Sequence, residues 1–188
     1  MKRILFSLLL TLVTGQMMAQ VRLPERPNRP QYVDHSELDN GFWCAIEGKV
    51  GSSIQFNANN AQRAGLTFTG GYMVNEYLKM GFGVGANYYF NHNDRLRDTN
   101  ILWNVPIYLD IRGNLLSQEI RDFVPYWSID IGAMIRDGFF FSPTFGFRFG
   151  EKRNSWLLGL NFTVQRINNI PTEPETICFL GINVGYEF

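Results

Sequence analysis

The last eleven residues, 178–188 (CFLGINVGYEF), alternate between apolar side chains and residues that are mostly small or polar. A period of two places the two sets on opposite faces of a β-strand. The stretch is long enough to cross a membrane, because a tilted strand needs about 9–11 residues to do so. The apolar face consists of Cys178, Leu180, Ile182, Val184, Tyr186 and Phe188.

The same alternation recurs through the chain from Gly41 onward. The eight predicted strands are 42–50, 63–73, 77–90, 101–112, 124–135, 139–149, 156–166 and 178–188. Polar connections join them in order, including loops at 52–60 and 167–176 and a tight hairpin at Asp137-Gly138. The connection over 113–122 has room for one helical turn at 115–120. An even number of such strands is typical of bacterial membrane barrels. We therefore predict an all-β domain over 41–188, an eight-stranded antiparallel up-and-down transmembrane β-barrel.

The bulk of the apolar faces decides which way they point. A soluble eight-stranded barrel hides its apolar face inside, but the interior of so small a barrel is filled by ordinary side chains. The Phe and Trp residues of eight strands do not fit there. We expect them to face lipid, with Gly, Thr, Asn and charged residues facing the lumen.

The segment before the barrel has the marks of export. Lys2 and Arg3 precede an apolar run too short for a membrane helix, and Ala19 supplies a small residue before a cleavage point, so 1–19 is predicted to be a signal peptide. Residues 20–40 hold three prolines and lack apolar periodicity, which predicts a periplasmic linker. The formal net charge of zero argues against nucleic acid as a partner.

With both chain ends in the periplasm, the outward aromatic residues fall into two bands, as in membrane-interface girdles. The periplasmic band is Tyr72, Trp127, Phe149, Trp156, Tyr186 and Phe188. The outer band is Tyr88, Phe90, Trp103, Phe139 and Phe141.

Three stretches resemble segments of small bacterial outer-membrane barrels of the OmpA/OmpX and porin-like type. They are 106–113 (PIYLDIRG), 143–149 (PTFGFRF) and the terminal 181–188 (GINVGYEF). The resemblance implies an outer-membrane location and the barrel-assembly machinery as a partner. Membrane lipid is expected as a partner because of the bulky outward faces, and we expect a monomer. The resemblance also implies that the terminal face acts as the assembly signal: Leu180, Ile182, Val184, Tyr186 and Phe188.

Nine charged residues are predicted to face the lumen, five positive and four negative. They are Glu47, Lys49, Arg63, Lys79, Asp110, Arg112, Asp130, Arg148 and Glu187. A plug of paired charges and a selective pore both use such residues. We favour the plug, because buried charges must be paired and eight strands leave little room for water. Glu187 is expected to pair with Lys79 or Arg148.

Other candidate chemistry is weak. His35-Ser36-Glu37 has the residue types of a hydrolytic triad, but triads are assembled by geometry rather than by adjacency. Residues 81–86 (GFGVGA) fit a dinucleotide motif, yet an aromatic strand follows where a helix is required. His92 with Asp94 and Asp98 offers too few metal ligands in one loop.

Cys44 and Cys178 are expected to lie near opposite ends of the barrel and to face lipid unbonded. The sequence thus predicts no catalytic, metal or cofactor site. We expect an outer-membrane protein with a structural or surface-interaction role. The alternatives are an enzyme that modifies lipid A or phospholipid, and a narrow passive pore.

Overall fold

The computed structural model describes residues 41–54, 61–75, 77–90, 103–118, 121–135, 137–151, 153–167 and 175–188. The predicted signal peptide and linker, the His35-Ser36-Glu37 segment, and the loop with His92, Asp94 and Asp98 lie outside the described residues.

Alternating apolar and polar residues produce extended strands over most of the described ranges. The strands are β1 (Gly41–Ser53), β2 (Gln62–Asn75), β3 (Leu78–Phe90), β4 (Trp103–Asn104), β5 (Pro106–Asn114), β6 (Phe123–Met134), β7 (Gly138–Gly150), β8 (Ser155–Ile167) and β9 (Glu175–Glu187). No helix long and apolar enough to cross a membrane occurs among these residues.

The strands form one closed antiparallel sheet. Its order is β2, β1, β9, β8, β7, β6, β5, β3, β4, and the pairing of β2 with β3 closes the ring. The chain end seals it: β9 pairs with β1, and the backbones of Cys44 and Phe188 exchange hydrogen bonds of 2.8 and 2.9 Å. Since β4 and β5 are two segments of one barrel strand, the prediction of an eight-stranded up-and-down barrel is confirmed.

Proline interrupts the sheet at two places. The prediction of one continuous fourth strand over 101–112 was wrong, because the pairing of this segment with β3 breaks between Asn104 and Ile107, around Pro106. Proline has no N–H to donate to a neighbouring strand. Similarly, the pairing of β7 with β8 skips Ser142 and Pro143.

The connections also differ from expectation. The helical turn suggested for 115–120 is absent from its described part, 115–118, where the chain bends and the Leu115 N–H instead bonds to the Pro125 carbonyl at 2.9 Å. The Asp137-Gly138 hairpin is confirmed. Met134 pairs with Gly138, whose φ of 105° is a conformation that favours glycine.

Several strands run further than predicted. Ser52 and Ser53, assigned to a loop, belong to β1, and Ile167, Glu175 and Thr176, also assigned to a loop, belong to β8 and β9. The reason is that backbone pairing extends a ladder beyond the residues whose side chains alternate clearly.

The two faces of the wall differ as predicted. Every barrel strand presents at least one large apolar side chain outward, with Phe42 87% exposed, Phe82 74% and Leu160 65%. The outward aromatic residues also contact one another near the two ends. Trp156 and Tyr186 lie 5.1 Å apart between ring centroids at the end that holds Phe188, and Tyr88 and Trp103 lie 5.0 Å apart at the other.

The two cysteines are free thiols in the structure. Cys44 bonds through its backbone to Phe188, whereas the carbonyl of Cys178 accepts a bond from the Ile54 N–H at 3.0 Å, beyond the opposite end of β1. A disulfide between them is excluded by this separation.

Candidate functional site

The inward positions of the strands place all nine predicted lumen charges inside the barrel. None of these nine residues is more than 3% exposed. Burial of so many ionised groups costs free energy unless each is paired. The pairing therefore determines what the lumen can do.

Lys49 and Asp130 span the full width of the lumen. Lys49 lies on β1 and Asp130 on β6, which are four strands apart in either direction around the ring. Lys49 Nζ donates to Asp130 Oδ2 at 2.5 Å. Side chains from opposite walls thus meet at this level of the barrel.

Arg112 is the centre of the charged group. Its Nε and Nη2 donate to the two carboxylate oxygens of Asp110 at 2.8 and 2.5 Å. Its Nη2 also lies 2.6 Å from Glu47 Oε1, and its guanidinium stacks 4.6 Å above the ring of Trp43. Planar bidentate pairing and stacking of this kind suit arginine and not lysine.

Glu187, the penultimate residue, closes the group at the chain end. Its Oε1 accepts a hydrogen bond from Lys79 Nζ, and its Oε2 accepts one from Arg148 Nη2 at 2.8 Å. Both partners suggested by the sequence contact it. Arg112 Nη1, at 3.6 Å, links Glu187 to the remaining ions.

Eight of the nine charges therefore form one connected network, here called the charged half of the lumen. It contains four cations and four carboxylates: Lys49, Lys79, Arg112, Arg148, Glu47, Asp110, Asp130 and Glu187. Arg63 stands apart from it. Its Nη2 donates to Thr163 Oγ1 at 2.8 Å and to Asn161 Oδ1 at 3.3 Å, both neutral acceptors.

Arg63 lies in the other half of the lumen, here called the apolar half. Two buried clusters define it: Ala61, Tyr89, Ile177 and Phe179, and Tyr108, Met134 and Phe140. Here too the walls meet, because Tyr89 on β3 donates to Gln165 Oε1 on the opposite strand β8 at 2.9 Å.

Neutral lumen residues make connections that were not foreseen. Asn183 Nδ2 donates to Glu47 Oε2 at 3.1 Å and to Tyr126 Oη at 3.2 Å, so it joins the charged network to the wall. Where β7 and β8 lack backbone pairing, Asn161 Nδ2 donates to Ser142 Oγ and Thr144 Oγ1, both at 2.8 Å. The inward phase of the alternation was a signal for the position of these residues, but not for their partners.

The gap beside Pro143 also shapes the outer surface. An apolar groove of ≈ 360 Å³ runs over it, between outward side chains such as Trp127, Phe145 and Leu160. From the lumen side, Asn161 thus bonds β8 to β7 at the segment where the outer surface carries the groove.

The remaining candidates take structural positions. Residues 81–86 lie within β3, and the ring of Tyr108 packs where a side chain at Gly83 would stand. No cluster of three or more metal-ligating side chains occurs within the described ranges. The residues of the expected assembly signal, Leu180, Ile182, Val184, Tyr186 and Phe188, lie on the outward face of the β9 end of the chain.

Comparison with known proteins agrees with this architecture. The chain aligns with neisserial surface protein A, NspA, at a TM-score of 0.53 and 11% identity, over 79% of this chain and 97% of that one. The N-terminal β-barrel domain of Pseudomonas aeruginosa OprF aligns at 0.45 and 13%, over 78% and 97%. The outer membrane protein OprG from Pseudomonas aeruginosa aligns at 0.41 and 11%, over 80% and 97%.

No protein-family model and no curated protein matches the sequence. At 11% identity, the alignment with NspA speaks for the fold alone. The chain has the fold of the small bacterial outer-membrane β-barrels.

Proposed function

We propose that the chain is an integral, non-catalytic protein of the bacterial outer membrane whose lumen is closed, and that it serves the envelope as a structural or surface-interaction element. The outward apolar face supports membrane insertion, because large side chains such as Phe42 and Phe82 are exposed around the whole wall. In a closed sheet the backbone N–H and C=O groups bond to neighbouring strands, which a bilayer requires because its interior holds no water to bond them.

The Lys49–Asp130 contact carries the proposal of a closed lumen. It joins opposite walls at 2.5 Å, and the Tyr89–Gln165 bond does the same in the apolar half at 2.9 Å. Two such bridges at different levels support a lumen without a straight path for an ion. Opening the path would separate a buried ion pair. A buried charge that loses its partner costs roughly 3–5 kcal/mol.

Single-channel recording in planar lipid bilayers tests the closure. The refolded protein is expected to give no steady conductance, with a large porin as the positive control for insertion. Steady conductance of the wild-type barrel would overturn the closed lumen and favour the narrow-pore alternative.

The same burial supports a role without catalysis. A general acid or base must reach its substrate, whereas the eight network charges are buried and held by one another. Mass spectrometry of outer-membrane lipids from cells with and without the protein should show identical acyl patterns. A changed pattern would support the lipid-modifying enzyme instead.

The terminal strand supports membrane lipid and the assembly machinery as partners. Leu180, Ile182, Val184 and Phe188 are exposed on one face of the chain end, and closure leaves no unpaired edge for self-association, which supports a monomer. Deletion of Phe188 removes the two backbone bonds to Cys44 and is expected to impair assembly. Wild-type levels of heat-modifiable barrel in membranes of the deletion strain would contradict this role.

A further inference from the structure

The apolar groove on the outer wall has the width of one extended chain. Two rows of outward residues border it, one through Trp127, Phe145 and Leu160 and the other through Ile129 and Pro143. On each strand the two rows lie two residues apart, which is about 6.6 Å along the strand. This space takes a single hydrocarbon chain but not an α-helix, whose diameter is about 10 Å or more.

The floor of the groove is the wall between the two rows. It consists of Ser128, Thr144 and Asn161, whose side chains point into the lumen and are at most 3% exposed. Asn161 Nδ2 donates to Thr144 Oγ1 at 2.8 Å and to the Pro143 carbonyl at 3.4 Å, so these polar groups are bonded on the lumen side. None of the described lining residues is charged. The groove therefore suits an apolar occupant.

The groove climbs the barrel wall. From Leu160 the first row continues over β9, β1 and β2 to Tyr88 in the outer aromatic band. In the opposite direction Trp127 pairs with Gly113, one residue before the periplasmic end of β5. Strands of such barrels tilt by about 35–45°, so a row perpendicular to them rises across the wall. The groove thus begins at Trp127 in the periplasmic aromatic band and rises to Leu180, near the middle of β9.

The length of the groove matches one leaflet of a bilayer. It runs from β6 to β9, across three strand spacings or roughly 14 Å. A hydrocarbon core about 30 Å thick gives each leaflet roughly 15 Å. The volume of ≈ 360 Å³ also lies in the range of small-ligand sites, about 300–1,000 Å³.

We propose that this groove binds one acyl chain of a glycerophospholipid of the periplasmic leaflet, with the headgroup on the Trp127 side and the chain end near Leu180. The site rests on the proposed membrane insertion and orientation. It is continuous with the lipid-facing surface, where an unfilled groove forfeits the dispersion contacts of its lining. Tryptophan is the residue type that bilayer interfaces favour, which agrees with a headgroup beside Trp127. A lipid of the outer leaflet would enter from the Leu180 side instead.

Bromine-labelled lipid locates the chain directly. Crystals of the full chain grown from a lipid mesophase that contains phosphatidylethanolamine with a dibrominated acyl chain should show an anomalous peak inside the groove. The headgroup should lie on the Trp127 side. A groove without bromine, a groove filled by a neighbouring copy of the barrel, or a headgroup on the Leu180 side overturns the proposal.

Ile129→Trp fills the groove from its border without changing the lumen. Native mass spectrometry of the barrel purified from outer membranes should detect one retained phospholipid on the wild type and none on Ile129→Trp. Ile131→Trp is the matched control, because Ile131 lies two residues further along the same outward face and does not line the groove. It should retain the lipid. Equal retention by Ile129→Trp and wild type, or a retained mass of lipid A, overturns the proposal.

Flotation of the refolded barrel with phosphatidylethanolamine vesicles separates this site from the proposed function. A wild-type barrel that floats with the vesicles and carries no chain in the groove overturns the acyl-chain site and leaves membrane insertion standing. A barrel that does not float overturns the insertion itself, and the acyl-chain site with it. Both tryptophan variants should float as wild type does, because each changes only the outward face.

Discussion

In the charged half of the lumen, opposite walls meet as ions, and in the apolar half they meet as rings and neutral polar groups. Lys49–Asp130 at 2.5 Å represents the first kind of contact. The Tyr89–Gln165 hydrogen bond at 2.9 Å, with the ring of Phe179 6.0 Å from that of Tyr89 between centroids, represents the second. The first is directional and depends on each partner, because a missing carboxylate leaves a buried cation uncompensated. The second loses stability in proportion to the volume removed. One barrel thus fills its lumen by two different means.

The largest effect is expected at the residue on which the charged half converges. Glu187→Gln removes the carboxylate that Lys79, Arg148 and Arg112 share. We expect the free energy of unfolding to fall by roughly 3–5 kcal/mol, because the network then holds four cations but only three carboxylates. Urea titration of the refolded barrel in micelles, followed by tryptophan fluorescence, measures it.

Glu151→Gln is the matched control for Glu187→Gln, since Glu151 is exposed at the end of β7. Its expected effect is within about 0.5 kcal/mol. Equal losses in the two variants would mean that the charged half does not depend on the pairing of Glu187.

A double-mutant cycle across the lumen separates pairing from filling. Lys49→Met and Asp130→Leu each leave one buried charge, so each single change is expected to destabilise strongly. The double change leaves none and should be more stable than either single variant, with a coupling free energy of roughly 0.5–3 kcal/mol. Additive losses in urea titration would show that the two side chains act independently.

A smaller loss is expected where the wall itself is weak. Asn161→Ala removes the side chain that bonds Ser142 and Thr144 across the unpaired part of β7 and β8. We expect a loss of about 1–3 kcal/mol, the cost of leaving buried polar partners unsatisfied. Hydrogen exchange should also become faster at the amides of Phe162 and Thr163. If exchange there is unchanged, the side chain does not hold the gap.

The sequence predicted the barrel and its two faces because alternation is a local property. Each strand from β1 to β9 shows its inward phase without reference to its neighbours, so the burial of Lys49, Asp130 and Glu187 followed from spacing alone. The break at Pro106 was also readable in principle, since proline rarely continues a paired strand. The predicted helical turn at 115–120 failed because the backbone pairing of Leu115 with Pro125 overrides local propensity.

The pairing inside the lumen depends on relations that spacing does not contain. Lys49 and Asp130 are 81 residues apart, and their contact depends on the register of every strand between them. The same is true of Arg63, which was grouped with the other charges by its inward phase. Only the closed ring shows that its neighbours are Asn161 and Thr163 rather than a carboxylate.

The apolar half should respond gradually, and its smallest change is the most informative. Ile177 is fully buried in the cluster with Tyr89 and Phe179, so Ile177→Val removes one methylene group from a packed site. The expected loss is roughly 0.5–1.5 kcal/mol in urea titration. Ile182→Val removes the same group from an outward, lipid-facing position of the same strand and should cost less. Equal losses in the two variants would mean that Ile177 is packed no more tightly than a side chain facing lipid, and would contradict a tightly packed apolar half.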